Sequence, residues 1–181
     1  IAGREWGSPS GGGYHSPYKY PNLVNSEKGE YLTDRLGAEA SKFIEANQDK
    51  PFFLYLTHYT VHTPIQAKEA LTAKYEKKAT VGGHTNAKYA AMIESMDDSI
   101  GAVQATLKRL KLDENTIVIF FSDNGGRGGV ASNAPLRGSK GMLYEGGIRE
   151  PLVIKWPGVT QAGSTCREPV IGVDFYPTLM E

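Results

Sequence analysis

Thr116–Phe121 reads Thr-Ile-Val-Ile-Phe-Phe and runs directly into Ser122-Asp123-Asn124-Gly125-Gly126. A short apolar, β-branched run that is bounded by turn residues is typical of a strand buried on both faces, as in a parallel sheet. Ligands of open parallel sheets lie just past the carboxyl ends of the strands, where Asp123 and Asn124 stand. An acid beside an amide offers hard oxygen ligands suited to calcium or magnesium. The stretch therefore predicts a ligand site at the end of a central strand.

A second charged group follows in the next loop. Glycine-rich sequence leads to Leu136–Gly141 and then to Tyr144–Pro151. Lys140 brings a cation to the same neighbourhood, as a site for a doubly charged oxyanion requires. Asn124-Gly125 is also a common turn dipeptide, but parallel strands do not end in two-residue hairpins, which favours the site over a simple turn.

The glycine-rich segment itself has a competing interpretation. Gly126–Ala131 matches the loose dinucleotide-binding fingerprint, which needs a helix that presents its amino end to pyrophosphate. Pro135 follows closely and no helix is predicted there, while Asp123 would repel phosphate groups. We therefore interpret this segment as a loop.

The rest of the chain predicts alternating helices and strands. The patterns indicate, in order, a helix over 30–47, a strand over Phe52–Leu56, a helix over 86–110, a strand over Pro151–Trp156 after the central one, and a last helix capped by Asp174. The long helix carries one apolar stripe: Tyr89, Ile93, Met96, Ile100, Val103, Leu107 and Leu110. This order predicts an α/β fold with a mostly parallel sheet and flanking helices, in one domain.

Composition excludes several classes of protein. The 181 residues carry 20 basic and 20 acidic side chains, which does not favour nucleic acid or a membrane surface as the main partner. No segment approaches about 20 consecutive apolar residues, so no transmembrane helix is predicted. One cysteine, Cys166, excludes an internal disulfide and leaves the compartment undecided.

The other chemically capable residues have two interpretations each. His62 follows a predicted buried strand, where a histidine is commonly structural but is also able to protonate a leaving oxygen or bind an anion. His58 would pair with His62 on a helix, but the preceding strand and Pro64 argue against a helix there. Asp97 and Asp98 are predicted to be solvated. We interpret Cys166, the only cysteine, as a bystander.

Several motifs, taken in order, resemble the type I sulfatases of the alkaline-phosphatase superfamily. These are Pro51–Leu56 leading to Val61-His62-Thr63-Pro64, then Tyr89–Asp97, Thr116–Gly125, Leu136–Gly141, Tyr144–Pro151 and Val173–Leu179. The resemblance covers nearly all of residues 30–181. It implies an alkaline-phosphatase-like fold and hydrolysis of sulfate esters by a formylglycine hydrate, with one calcium ion holding sulfate oxygens.

The resemblance also implies roles for individual residues. Asp123 and Asn124 match calcium ligands, and Lys140 matches a cation that binds sulfate. His62 matches a residue that contacts sulfate and assists departure of the leaving group. Cations and a metal around an oxyanion are electrostatically consistent with this chemistry. We assign Glu145 and Arg149 to the architecture of the loop.

The chain departs from the family in its nucleophile. Cys166-Arg167-Glu168-Pro169 does not fit the Cys-x-Pro-x-Arg type of modification motif, and neither does any serine. An early aspartate pair and a Gly-Lys-Trp-His segment are also absent, and in family order they precede residue 1. We therefore expect part of a sulfatase catalytic domain, with a loop-rich lead-in over 1–29 and α/β core over 30–181, inactive by itself.

Two alternatives stay open at this point. One is a phosphonate or phosphodiester hydrolase of the same superfamily, and the other is a non-catalytic binding protein that kept the fold. The expected partners are a small-molecule or carbohydrate sulfate ester and the remainder of the same polypeptide. Loops such as 1–29 and 65–85 would set specificity, with Trp6, Tyr14 or Tyr18 either stacking on a substrate ring or packing. The resemblance suggests a periplasmic, secreted or lysosomal location.

Overall fold

The computed structural model describes residues 13–18 and 27–181. In these ranges it has five α-helices, a two-stranded sheet and one 3₁₀ turn. They run α1 (Leu32–Ala46), α2 (Glu69–Glu76), α3 (Ala87–Arg109), β1 (Val118–Phe121), α4 (Glu145–Ile148), β2 (Leu152–Lys155), the 3₁₀ turn (Gly172–Asp174) and α5 (Phe175–Met180). The structure confirms the two predicted long helices, α1 and α3. It also confirms the predicted strands at β1 and β2. The short helix α2 lies in the segment up to about Gly83, where the sequence left loop and irregular helix open, and α4 was not predicted.

Helices α1 and α3 pack together through small side chains. Gly37 lies so close to Ser99 that an added Cβ would be 2.3 Å from the serine Oγ. The buried residues of α3 are Ala91, Met92, Ser95, Ser99, Thr106 and Leu107. Apart from Leu107, the predicted apolar stripe is not the buried face; Ile93 is 42% exposed. Small residues occupy the interface between α1 and α3 because they let the two helix backbones approach closely.

A cluster of buried residues, here called the tyrosine cluster, contains two tyrosine rings. Tyr14, Tyr31, Leu32 and Met92 are buried together, and Tyr18 packs against them. The rings of Tyr14 and Tyr31 are stacked with centroids 5.6 Å apart. Burial raises the pKa of the Tyr31 hydroxyl to about 12. For Tyr14 and Tyr18 the structure therefore favours packing, while Trp6 lies outside the described residues.

Strands β1 and β2 are antiparallel neighbours, with Val118 opposite Lys155 and Phe121 opposite Leu152. The element order predicted parallel pairing, and the connection explains the difference. Parallel neighbours need a crossover that is usually a helix, whereas this connection holds only the four-residue α4. The side chains of β1 are only partly buried, and Phe121 is 39% exposed, so the predicted burial on both faces is not found in the described residues.

The predicted strand Phe52–Leu56 is not part of this sheet. Its side chains alternate with a period of two between partly buried and exposed, and Phe53 and Tyr55 are about three-quarters exposed. Phe52 packs edge-on against Phe43 of α1, with ring centroids 6.0 Å apart. The segment therefore has the alternation of a strand without a paired neighbour among the described residues.

A hydrogen bond joins the β1–β2 sheet to the connection that precedes it. Lys155 Nζ donates to the carbonyl oxygen of Asp113, in the connection between α3 and β1, at 2.8 Å. Asp174 is the residue before α5, as predicted, but its carboxylate accepts from the N–H of Ile171 rather than capping that helix. Among the described residues, no helix has the length and apolar character needed to cross a membrane.

Candidate active site

The segment that follows β1 is fastened to α4 and β2 by backbone hydrogen bonds. The N–H of Ser122 donates to the carbonyl oxygen of Pro151 at 3.3 Å, and that of Gly125 donates to Gly147 at 3.2 Å. Gly125 is buried, and an added Cβ there would be 1.9 Å from the carbonyl oxygen of Gly146. Only glycine fits this contact, which fixes the backbone that carries Asp123 and Asn124.

Asp123 has a second carboxylate beside it. Burial, and after it the charge of Asp123, raise the pKa of Glu150. One oxygen of Glu150, Oε1, is buried and has no hydrogen-bond partner. Asp123 itself is exposed, and Asn124 is partly buried. No local pattern in the sequence indicates Glu150, because only the β1–β2 pairing places it next to Asp123.

Lys140 is held close to the same segment by its backbone. Its N–H donates to the carbonyl oxygen of Gly126 at 3.1 Å. Asn133 closes the loop, since its side chain accepts from the N–H of Gly126 and donates to the carbonyl oxygens of Gly126 and Gly138. No helix begins at 126–131, which confirms that this segment is a loop. The side chain of Lys140 is exposed.

An arginine and a tyrosine stiffen the loop on either side of Lys140. The guanidinium of Arg137 lies 3.9 Å from the ring centroid of Tyr144 and also donates to its hydroxyl at 3.0 Å. The N–H of Gly146 donates to the carbonyl oxygen of Arg137 at 2.7 Å. Glu145 in α4 and Arg149 directly after that helix form an ion pair of 3.5 Å.

His62 lies beside Tyr59, which packs against the tyrosine cluster, rather than in the loop after β1. Its Nδ1 is 2.9 Å from the carbonyl oxygen of Thr63 and 3.1 Å from the hydroxyl of Tyr59. Its ring packs against that of Tyr59, with centroids 5.1 Å apart. His62 is exposed. None of its hydrogen bonds within the described residues reaches Asp123 or Lys140.

His58 and His62 do not pair on one face of a helix, as the sequence indicated, because residues 57–63 are not helical. Both of its ring nitrogens are buried without a hydrogen-bond partner. Burial lowers the pKa of this imidazole, since the charged form loses its hydration. Asp97 and Asp98 are exposed on α3, as predicted, and the free Cys166 is exposed as well.

The structure thus brings Asp123, Asn124 and the backbone of Lys140 into one loop cluster, with Glu150 as an additional member. Within residues 13–18 and 27–181, no three His, Cys, Asp or Glu side chains lie close enough together to hold a metal ion.

Comparison with known proteins assigns the family. The sulfatase family model matches residues 6–181, so this chain belongs to the sulfatase family. It is 43% identical over 164 residues to a sulfatase of Formosa agariphila, a match that covers 84% of this chain and 30% of that protein. It is 37% identical over 157 residues to the steryl-sulfatase of Rattus norvegicus, covering 82% of this chain and 26% of that protein. The chain thus spans about a third or less of these relatives.

Solved structures, one of them a named sulfatase, have the same fold. The crystal structure of Ps i-CgsB in complex with k-i-k-neocarrahexaose matches 87% of this chain and 35% of its own, with a TM-score of 0.77 and 36% identity. The PsFucS1 sulfatase from Pseudoalteromonas sp. matches 73% of this chain and 26% of its own, with a TM-score of 0.59 and 31% identity. These matches confirm the α/β, alkaline-phosphatase-like fold class.

Proposed function

We propose that the whole protein containing this chain hydrolyses sulfate esters. The observation that carries the proposal is the match to the sulfatase family across 6–181, which includes the loop that holds Asp123, Asn124 and Lys140. The names of the relatives favour sulfate esters over the phosphonate or phosphodiester substrates of the alternative. Residues 1–181 would then form part of the catalytic domain, with 30–181 as α/β core.

In this proposal Lys140 binds the sulfate group. Its backbone N–H is bonded to Gly126, so the residue begins next to the segment that follows β1. A fixed cation stabilises negative charge that develops on the sulfate oxygens in the transition state. His62 would contact the sulfate from the tyrosine cluster and protonate the leaving oxygen.

Asp123 and Asn124 are proposed as calcium ligands. Their oxygens are the hard donors that calcium prefers. A bound cation would also relieve the repulsion between Asp123 and Glu150, whose buried Oε1 has no partner. The donor set is partial, since calcium takes six to eight oxygens. When bound, calcium would supply positive charge to the sulfate oxygens, and formylglycine elsewhere in the whole protein would supply the nucleophile.

The substrate is proposed to be a carbohydrate or other small-molecule sulfate ester. One structural neighbour was solved with a neocarrahexaose, which is a carbohydrate, and a relative is named a steryl-sulfatase. The chain's balanced charge does not favour nucleic acid as a partner. We also propose a periplasmic, secreted or lysosomal location, which the family resemblance supports.

Assays of the whole protein separate the alternatives. We expect calcium-dependent turnover of 4-nitrophenyl sulfate that greatly exceeds turnover of 4-nitrophenyl phosphate or of a phosphonate ester. Faster turnover of the phosphorus esters would support the superfamily alternative. Binding of sulfate esters without turnover of any of them would support a non-catalytic binding protein.

A further inference from the structure

We propose that Tyr14 is a positioning residue for His62, because its buried hydroxyl fixes from the core the turn that presents the imidazole. Tyr14 itself does not touch the substrate in this proposal. The role of His62 in catalysis rests on the function proposed above. The hold of Tyr14 on the turn follows from contacts within the described residues and is measurable without turnover.

The turn that carries His62 begins at Tyr59. The N–H of His62 donates to the carbonyl oxygen of Tyr59 at 2.9 Å, which closes the turn. The hydroxyl of Tyr14 lies 2.9 Å from the carbonyl oxygen of Tyr59 and 2.8 Å from that of His62, and it donates toward both. One hydroxyl therefore bridges the first and the last residue of the turn.

The bridging hydroxyl comes from the interior of the protein. Tyr14 is fully buried, and its ring centroid lies 5.6 Å from that of Tyr31 and 5.4 Å from that of Tyr59. His62, by contrast, is exposed. Hydrogen bonds in the interior are electrostatically stronger than those in water. The exposed imidazole is thus attached, through the backbone carbonyl of its own residue, to a buried ring.

Tyr14 is held in turn by its backbone. Its N–H donates to Oε1 of Gln66 at 2.8 Å, and its carbonyl oxygen accepts from the N–H of Leu32, at the start of α1, at 2.8 Å. The hydroxyl of Tyr31 donates to the carbonyl oxygen of Gln66 at 2.9 Å. Bonds to α1 and to Gln66 therefore define where the Tyr14 hydroxyl lies, and with it the turn.

This arrangement gives the two proposed sulfate contacts different supports. The loop with Lys140 is bonded to the segment after β1, whereas the turn with His62 is bonded to Tyr14 and through it to α1. A displacement of about 1 Å at a reacting group is able to lower a rate by about 100-fold. The position of the turn therefore matters for a histidine that protonates a leaving oxygen. Loss of the Tyr14 hydroxyl keeps the ring in the cluster but removes the bridge.

The first test observes His62 without turnover. The whole protein is labelled with histidine that carries ¹³C at Cε1, and the His62 signal is assigned by its loss in His62→Gln. In Tyr14→Phe this signal should shift and broaden, because the turn then exchanges among positions that the hydroxyl otherwise excludes. An unchanged His62 signal in Tyr14→Phe overturns the proposal.

Tyr31→Phe is the matched control. It removes another hydroxyl from the tyrosine cluster, one that donates to the carbonyl oxygen of Gln66 rather than to the turn. The His62 signal should stay in place in this variant. An equal change of the signal in Tyr31→Phe and Tyr14→Phe would show a general response of the cluster and would also overturn the proposal.

A second variant serves if Tyr14→Phe does not fold. Gln66→Ala removes the acceptor of the Tyr14 N–H and leaves the hydroxyl in place. In that case we expect the His62 signal to shift and broaden in Gln66→Ala, since the anchor itself is loosened. A folded Gln66→Ala protein with an unchanged His62 signal would then refute the role of Tyr14.

The second test separates positioning from a general loss of structure. Phenyl sulfate has a poorer leaving group than 4-nitrophenyl sulfate, so its hydrolysis depends more on protonation by His62. We expect Tyr14→Phe to lower kcat for phenyl sulfate about tenfold more than kcat for 4-nitrophenyl sulfate, as a displaced general acid would. The ratio of the two kcat values should stay constant in Tyr31→Phe. Equal loss of kcat on both esters in Tyr14→Phe would contradict the positioning role.

Failure of the proposed function gives a different result. If the unsubstituted, calcium-loaded protein turns over neither ester, the sulfatase proposal fails, whereas the spectra still decide whether Tyr14 positions His62.

Discussion

The N–H of Gly125 donates to the carbonyl oxygen of Gly147 at 3.2 Å and so joins the end of the β1 segment to α4. The two glycines lie on either side of the loop that contains Lys140. Together with the bond from Ser122 to Pro151, this contact joins the two ends of the loop that carries Lys140, directly after Asp123 and Asn124.

We expect Gly125→Ala to destabilise this loop. A Cβ at Gly125 would lie 1.9 Å from the carbonyl oxygen of Gly146, which is backbone and cannot rotate away. Overpacking of this kind typically costs about 1–3 kcal/mol in the free energy of unfolding. Denaturant titration of the variant measures the loss.

Gly101→Ala is the matched control for this substitution. Gly101 lies within α3, and a Cβ there meets nothing within 4 Å. Alanine should stabilise that helix by roughly 0.8–1 kcal/mol. Equal stability of the two variants would show that the contact between Gly125 and Gly146 is unimportant.

Lys140→Ala should strongly lower turnover of sulfate esters by the whole protein. Loss of one fixed electrostatic contact to the transition state typically lowers kcat about 10²–10³-fold. Lys108→Ala, on the exposed face of α3, should have no effect on kcat. Circular dichroism should be unchanged in both variants, and normal turnover by Lys140→Ala would exclude that lysine from the site.

The 181-residue chain should bind calcium weakly by itself. Asp123 and Asn124 supply only part of the six to eight oxygens that calcium takes. Titration calorimetry should give no submicromolar affinity, and a tight site would refute the assignment of a partial donor set. In the whole protein, Asp123→Asn should weaken calcium binding at least tenfold relative to Lys108→Ala, because it removes a negatively charged ligand.

His58 should make the folded protein sensitive to acid. Burial lowers its pKa below the usual 6.5, so the unfolded state binds the proton more readily than the folded state does. The free energy of unfolding should therefore fall as the pH drops from 6.5 toward the lowered pKa, and should recover fully above 6.5. Denaturant titrations between about pH 7.5 and pH 5.5 measure this slope.

His58→Asn should flatten that pH dependence, since an amide does not titrate in this range. His84→Asn is the control, because His84 is exposed and its substitution should leave the slope unchanged. The same slope in all three proteins would contradict the assignment to His58.

Local patterns correctly predicted the two long helices and both strands of the two-stranded sheet. Apolar periodicity predicted α1 and α3, and short apolar runs predicted β1 and β2. The buried side of α3 was not predictable in this way, because hydrophobicity favoured the stripe with Ile93 while close packing against Gly37 selected small residues. The direction in which β1 and β2 pair was not predictable from local patterns either. It depends on the connection between them, which holds no crossover helix.

The candidate site was predicted in part. Asp123, Asn124 and Lys140 were predicted to lie near one another because all three follow β1 in the same connection, and their roles in binding are a proposal. The surroundings of His62 and the carboxylate of Glu150 were not, since they depend on contacts between residues distant in sequence. Tyr14 lies 48 positions before His62, and no local pattern relates the two.

The bond from Tyr14 to the turn at His62 also bears on protein engineering. Recombination between related enzymes at a crossover point within residues 18–58 would pair the aromatic anchor of one parent with the imidazole loop of another. Chimeras that inherit both segments from the same parent should retain activity more often than those that divide them.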